Sequence, residues 1–124
     1  MRILFIHQNF LGQFKSLAPA LAADPENRVL AMTMKQVPVK DWQGIKLLSW
    51  SATRGTTKGV HSWVSDFETK TIRGEACFRA AQQLKLEGFS PDVIIPHPGW
   101  GESRCLANCE TWYLLRVLLP CRGR

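Results

Sequence analysis

Three short apolar runs constrain the fold of this chain more than any other feature, because each is too continuous for a strand that exposes one face to solvent. They cover residues 1–6, 28–33 and 93–95. Such runs are typical of strands buried on both faces of a parallel sheet. The first strand, a turn with glycine, a helix and the second strand follow within about thirty residues, which is a βαβ unit. The sequence therefore predicts an α/β fold, a Rossmann-like open, mainly parallel sheet flanked by helices.

The spacing of the remaining apolar residues fills in the other elements. Strands are predicted near 2–7, 28–33, 45–49 and 92–96, and a first helix near 13–23, which Asp24-Pro25 ends. A second helix is predicted over 62–87, and Gly88 stops it. Its apolar face is predicted to carry residues at three- and four-residue spacings or their multiples, namely Val64, Phe67, Thr71, Phe78 and Ala81.

Length and charge limit the function classes. A chain of 124 residues has room for one domain. The net charge is +6, but residues 104–124 carry half of that excess, and no lysine and arginine cluster of the kind that neutralises several phosphates is present. Nucleic acid is therefore not an expected partner, whereas a weak attraction to anionic membrane surfaces is compatible with the charge. No signal peptide or membrane-spanning run is visible, so a cytoplasmic location is expected.

The cysteines predict neither a disulfide framework nor a metal site. Three of the four lie late in the chain, at Cys105, Cys109 and Cys121, and the fourth is Cys77. Nothing in the sequence indicates an oxidising compartment, which disulfides need. The spacing Cys105-x3-Cys109 is a poor match to zinc ligands. No metal and no cofactor are expected.

The loop after the first strand is one candidate site, with His7, Gln8, Gly12 and Gln13 as its substrate-binding residues. A glycine here lets backbone N–H groups approach a diphosphate at a helix N-terminus, or it simply permits a tight turn. His7 and Gln8 follow the strand end and could contact substrate or pack beneath the loop.

The loop after the last strand contains more side chains that could take part in binding or catalysis than the first loop does. It reads His97-Pro98-Gly99-Trp100-Gly101-Glu102, and its side chains can exchange protons, stack and accept hydrogen bonds. His97 is the candidate catalytic residue, and Gly99, Trp100 and Glu102 are candidate substrate-binding residues. Trp100 could also fill the core, and Glu102 could also start a helix, where the macrodipole favours its charge. In an open parallel sheet ligands bind outside the carboxyl ends of the strands, so Gly12 and His97 should share that edge.

These residues carry a resemblance to a subgroup of family 4 glycosyltransferases. The similar segments are MRILFIHQNF with GQF and LAPAL at the start, and GFSPDVI running into HPGWGE near residue 100. The resemblance implies the N-terminal half of a GT-B enzyme, with its active site between two Rossmann-like domains. It implies transfer of a sugar, with retained configuration, from a nucleotide-sugar donor to a sugar or glycan acceptor. It places His97 near the transferred sugar and the Gly12 loop near the donor phosphates, and His61 and Trp63 could touch the acceptor.

The resemblance stops after Ser103. A coding sequence for residues 104–124 can be written that, read one base later, encodes an aromatic segment similar to the one expected further along in this group. The predicted organisation is therefore a partial glycosyltransferase domain over 1–103 and a frameshifted, non-native tail over 104–124. Such a truncated chain is expected to be inactive alone. The alternative is a free-standing Rossmann-like module that binds a nucleotide or a partner.

Overall fold

The sheet formed by residues 1–97 contains five strands, four of them parallel. A computed structural model describes this part of the chain. The strands are β1 (Arg2–Ile6), β2 (Arg28–Thr33), β3 (Asp41–Trp42), β4 (Ile45–Ser49) and β5 (Val93–Pro96). Their order across the sheet is β3-β4-β2-β1-β5, and of these five only β3 runs antiparallel, to β4. The predicted α/β, Rossmann-like, mainly parallel sheet is confirmed, and the four predicted strands lie within one residue of their expected positions.

Helices cover both faces of the sheet, and the alternation of side chains along each strand divides the core in two. One half faces the helix α2 (Ser62–Leu86), with Leu4, Ile6, Leu30, Met32 and Ile94 from the sheet. The other half packs on the helix α1 (Leu17–Ala22), with Ile3, Phe5, Val29, Ala31 and Ile45 from the sheet. Because both faces are buried, the strands need apolar residues at successive positions, which is the pattern that the sequence shows.

The segment between β1 and β2 is less helical than the sequence predicts. A single 3₁₀ turn covers Gly12–Phe14, and α1 begins only at Leu17. Pro19 explains the late start, because a proline has no N–H to donate to the carbonyl four residues earlier and fits an α-helix only in its first turn. Pro19 is the third residue of α1, where no such bond is required.

The short strand β3 is absent from the sequence-based expectations. Asp41 and Trp42 pair with Lys46 and Ile45 through a two-residue turn at Gln43-Gly44. Both turn residues have positive φ, 50° and 79°, which is the geometry of a type I′ hairpin. The Asp41 carboxylate accepts the Gly44 N–H at 3.3 Å. A strand of two residues has no hydrophobic period, so only the turn could have indicated it.

The end of α2 agrees with the predicted stop at Gly88. Gly88 has φ +91°, and its N–H donates to the Lys85 carbonyl at 3.0 Å. The next N–H, of Phe89, donates to the Leu84 carbonyl at 3.1 Å, which completes a Schellman motif. Phe89 and Leu84 are both buried in the same cluster. The hydrophobic contact that accompanies this motif is therefore present.

The predicted apolar face of α2 is wrong over its first half. Val64 and Phe67 are exposed, and Thr71 is exposed as well. The residues of α2 that enter the core are Ile72, Gly74, Cys77, Ala81 and Leu84. A helix of 25 residues is about 37 Å long, whereas a five-residue strand spans about 17 Å, so only part of α2 can lie over the sheet. Among residues 1–97, no helix has the length and apolar character needed to cross a membrane.

Candidate functional site

Two histidine rings meet where β1 and β5 end. Ile6 and Pro96 are partners in the parallel register, so His7 and His97 leave the sheet side by side. The His97 N–H donates to the Ile6 carbonyl at 2.9 Å. The ring centroids of His7 and His97 lie 4.9 Å apart, with the planes at 76°. The prediction that these two loops share the carboxyl edge of the sheet is confirmed.

His7 is held in place by its own loop and by the 3₁₀ turn. Its Nδ1 accepts the backbone N–H of Asn9 at 2.9 Å, so the proton of the neutral ring lies on Nε2. Its ring packs edge-on against Phe14, with centroids 5.8 Å apart. Partial burial lowers the pKa of His7 from its ordinary value of 6.5, and the electrostatic interaction with the neighbouring His97 ring lowers that pKa further. His7 is therefore a neutral N–H donor near pH 7.

Gly12, in the same 3₁₀ turn, packs directly against the His7 ring. Its φ is +47°, and a Cβ at this position would lie 2.5 Å from both Cε1 and Nε2 of the His7 ring. No real Cβ approaches a ring that closely, so the site requires glycine for both conformation and space. This contact supports the structural interpretation of Gly12, while a role toward phosphate stays a prediction. Gln13, the next residue of the turn, is exposed.

Thr33 fixes the loop to the sheet, and it is not among the residues that the sequence predicts for the site. It is fully buried at the end of β2. Its Oγ1 accepts the N–H groups of Phe10 and Lys35, both at 3.2 Å, and donates to the Gln8 carbonyl at 3.0 Å. The sequence feature that could have indicated this role is a hydroxyl residue at the carboxyl end of a mostly apolar strand. Such a residue is well placed to bond the neighbouring loop.

Gln8 is a second link between the loop and β2. Its carbonyl also accepts the Met34 N–H at 3.1 Å, and its side-chain amide lies 3.5 Å from the Met34 sulfur. Gln8 is half-buried, so the packing role that the sequence leaves open is present in the structure. A contact between Gln8 and substrate stays a prediction.

The other predicted site residues lie at the start of α2 or outside the described part of the chain. Gly99, Trp100 and Glu102 lie outside the described residues, and their roles stay predictions. His61 precedes α2 and caps it, because its Nδ1 accepts the Trp63 N–H at 3.2 Å. Trp63 is 83% exposed. Within residues 1–97, no group of three or more metal-ligating side chains is placed to hold an ion.

The comparison with protein families adds the decisive observation. The model of the glycosyl transferase family 4 group matches residues 25–112, which is more than half of the 124 residues. The chain belongs to this glycosyltransferase family. The matched region of this family 4 chain begins after α1, contains α2 and β5, and extends through His97 and past Ser103. No curated protein and no solved structure matches the chain.

Proposed function

We propose that this chain is the N-terminal domain of a retaining GT-B glycosyltransferase. The enzyme transfers a sugar from a nucleotide diphosphate sugar to a hydroxyl of a sugar or glycan acceptor. Two observations support the proposal: the family match through the last described strand, and the contact between His7 and His97 at the carboxyl edge of a Rossmann-like sheet. The second observation supports the position of the proposed active site, because open α/β sheets bind ligands at that edge.

The proposed roles follow from the chemistry that each group offers. Sugar transfer needs a leaving diphosphate stabilised by hydrogen-bond donors and an acceptor hydroxyl held in position. His97 contacts the transferred sugar as the catalytic residue, and the neutral His7 beside it fixes the position of the His97 ring. The Gly12 loop, with Gln8 and Gln13, offers backbone and amide donors toward the donor phosphates. Gly99, Trp100 and Glu102 complete the substrate-binding set.

The 124-residue chain alone is proposed to be inactive. A GT-B cleft needs a second Rossmann-like domain to clamp the donor and exclude water, and 124 residues hold only one. We propose further that the segment 104–124 is read in a shifted frame, so that the native sequence continues from about Ser103 in the next frame. A coding sequence that does not yield the aromatic continuation in that frame contradicts this second proposal, and the first stands without it.

The experiment compares two proteins against a panel of nucleotide sugars. One is the chain as it is, and the other continues in the shifted frame through the following coding sequence. The extended protein is expected to release nucleoside diphosphate and to form a product with retained anomeric configuration, as seen by NMR. Robust transfer by the 124-residue chain alone contradicts the proposal. Nucleotide binding without transfer by both proteins supports the alternative, a free-standing binding module.

A weak association with anionic membrane surfaces is also proposed. The first half of α2 exposes Trp63, Val64 and Phe67 to solvent, and Lys58 lies nearby in sequence. Exposed aromatic side chains favour a lipid interface, and the net charge of +6 on the whole chain favours an anionic one.

A further inference from the structure

Among residues 1–97, Thr33 is the one buried residue whose side chain carries a hydroxyl, an amide or a charge. Its hydroxyl spends its whole hydrogen-bonding capacity, one donor and two acceptors, on the loops that follow β1 and β2. Burying a hydroxyl costs free energy unless it is bonded, and valine has the same shape without that cost. The hydroxyl at this position therefore has a role beyond filling the core.

One peptide group connects Thr33 to His7. The Gln8 carbonyl accepts the Thr33 hydroxyl at 3.0 Å, and the N–H of the same peptide group belongs to Asn9. That N–H donates to His7 Nδ1 at 2.9 Å. A trans peptide group is planar, and its C=O and N–H point in opposite directions, so holding the carbonyl also sets the direction of the N–H. The hydrogen bond from Thr33 therefore orients the donor that His7 accepts.

Two further hydrogen bonds hold the same loop. The Met34 N–H donates to the Gln8 carbonyl at 3.1 Å, from the residue that follows Thr33. The Phe10 N–H donates to the Thr33 hydroxyl at 3.2 Å, and the Phe10 side chain is buried in the core. Thr33 is thus bonded to the residue on each side of Asn9, which limits the positions that the Asn9 N–H can take.

The His7 ring in turn borders the candidate catalytic residue. The bond from Asn9 occupies Nδ1, which keeps the proton of the neutral His7 ring on Nε2. The ring centroids of His7 and His97 lie 4.9 Å apart, so the orientation of one ring limits the space open to the other. Catalytic side chains keep a productive geometry only when neighbouring groups hold them in it. His7 is such a neighbour of His97.

We propose, resting on the proposed function, that Thr33 is a positioning residue for sugar transfer. Its hydroxyl acts through the peptide group of Gln8 and Asn9 to fix the tautomer and the orientation of His7, and thereby the position of His97. A displacement of about 1 Å in a reacting group can lower a rate about 100-fold. Because the hydroxyl itself touches no substrate, its loss should lower kcat and leave KM nearly unchanged.

The first test measures the ring nitrogens of His7 by NMR in the 124-residue chain, labelled with ¹⁵N histidine. The chain has three histidines, and His7→Gln assigns the relevant signals. At about pH 8, where the ring is neutral, we expect the Nε2–H tautomer in the parent chain. A parent ring that populates both tautomers, or mainly the Nδ1–H form, overturns the proposal before any variant of Thr33 is made.

Two substitutions of Thr33 then separate the hydroxyl from the shape of the side chain. Thr33→Val removes the hydroxyl, so the His7 ring should populate both tautomers. Its pKa should also move up toward the ordinary value of 6.5, because a released ring is less buried. Thr33→Ser keeps the hydroxyl and should retain the tautomer and the pKa of the parent. A folded Thr33→Val chain with unchanged His7 signals overturns the proposal.

Ser49 provides a matched control on the neighbouring strand. It is the register partner of Thr33, and its hydroxyl donates to the Lys35 carbonyl at 3.0 Å, in the loop after β2. Ser49→Ala therefore removes a hydroxyl at the same level of the sheet without touching the peptide group of Gln8 and Asn9. The His7 signals should stay as in the parent. If Ser49→Ala and Thr33→Val change them alike, the proposal is overturned.

The second test measures sugar transfer by the extended protein. Thr33→Val should lower kcat about tenfold and change KM by less than about twofold, and Thr33→Ser should restore most of the rate. A His7 ring that changes tautomer while kcat keeps the parent value overturns the positioning role. An extended parent protein that transfers no sugar refutes the proposed function instead, and the NMR comparison then still decides whether Thr33 holds His7.

Discussion

At the scale of single residues, the contact between Gly12 and His7 makes the sharpest prediction. Gly59 is its matched control, with φ +79° and, among residues 1–97, no atom beyond its chain neighbours within 4 Å of the place that a Cβ would occupy. Gly59→Ala should cost about 1 kcal/mol of unfolding free energy, because only backbone strain is added. Gly12→Ala adds the clash with the His7 ring as well and should cost about 2 kcal/mol or more. Urea denaturation of both variants gives the comparison.

A double-mutant cycle isolates the contact itself. In a His7→Ala background the ring is gone, so Gly12→Ala should cost about as much as Gly59→Ala. If the extra cost persists without the ring, the contact is not its source.

His7 also predicts a pH dependence of stability. Its folded-state pKa lies below 6.5, chiefly because of burial. The unfolded chain therefore binds a proton more readily than the folded chain, and stability falls as the pH drops below about 6.5 until it passes the folded pKa. His7→Gln should flatten this part of the curve, as measured by urea denaturation from about pH 7.5 to about pH 5. An unchanged slope in His7→Gln would show that the ring is not held in its neutral form by the fold.

Only part of the candidate site is predictable from the sequence. The strand ends predict that His7 and His97 share an edge, because parallel strands bring their carboxyl ends together. The role of Thr33 was not predictable in the same way. Its three hydrogen bonds depend on how the loop from Gln8 to Phe10 folds back over β2, and no periodicity encodes that path.

At the scale of elements, α2 shows where periodicity fails. Phe67 and Leu84 are both large apolar residues on this helix, but Phe67 is 63% exposed and Leu84 is buried. Leu84→Ala should destabilise the domain by about 2–4 kcal/mol through the cavity that it leaves. Phe67→Ala should change stability by less than about 0.5 kcal/mol. Thermal or urea denaturation of both variants measures the difference. Equal losses of unfolding free energy would contradict the exposed position of Phe67.

The exposed part of α2 carries the membrane proposal. The chain should co-sediment with vesicles that contain phosphatidylglycerol and should bind vesicles of phosphatidylcholine alone less well. The double variant Trp63→Ser and Phe67→Ser should lose this binding, because it removes the aromatic side chains that insert at the interface. Leu86→Ser removes an equally exposed apolar residue at the other end of α2 and serves as the control. Retained binding by the double variant would count against this surface.

At the scale of the whole molecule, the four parallel strands of the sheet were predictable from the sequence, whereas β3, the start of α1 and the exposed half of α2 were not. Continuous apolar runs identify buried strands, and Gly88 identifies the end of α2, because these signals are local and strong. The two-residue strand β3 and the delayed start of α1 depend on one turn and one proline. The exposed half of α2 depends on the length of the sheet beneath it, which no single segment of sequence reveals.

The predicted boundary near Ser103 is testable with a protease. A frameshifted segment was never selected to complement the sheet, so limited digestion of the full chain should cut first near Ser103 and leave a resistant fragment of residues 1–103. Mass spectrometry of the products identifies the cut. A segment 104–124 as resistant as β1 and β5 would contradict the frameshift and leave the family assignment untouched.

The central claim is that His97 acts at the catalytic edge of a glycosyltransferase, and the rate of sugar transfer by the extended protein tests it most directly. We predict that His97→Ala lowers kcat/KM by more than about tenfold, the contribution expected of a residue that contacts the reacting sugar. Leu86 is exposed and lies at the end of α2 that leads into β5, whereas His97 follows the other end of β5. Leu86→Ser should therefore retain the parent rate, and both variants should unfold at the parent's temperature. A His97→Ala protein that is correctly folded and transfers sugar at the parent rate would contradict the claim.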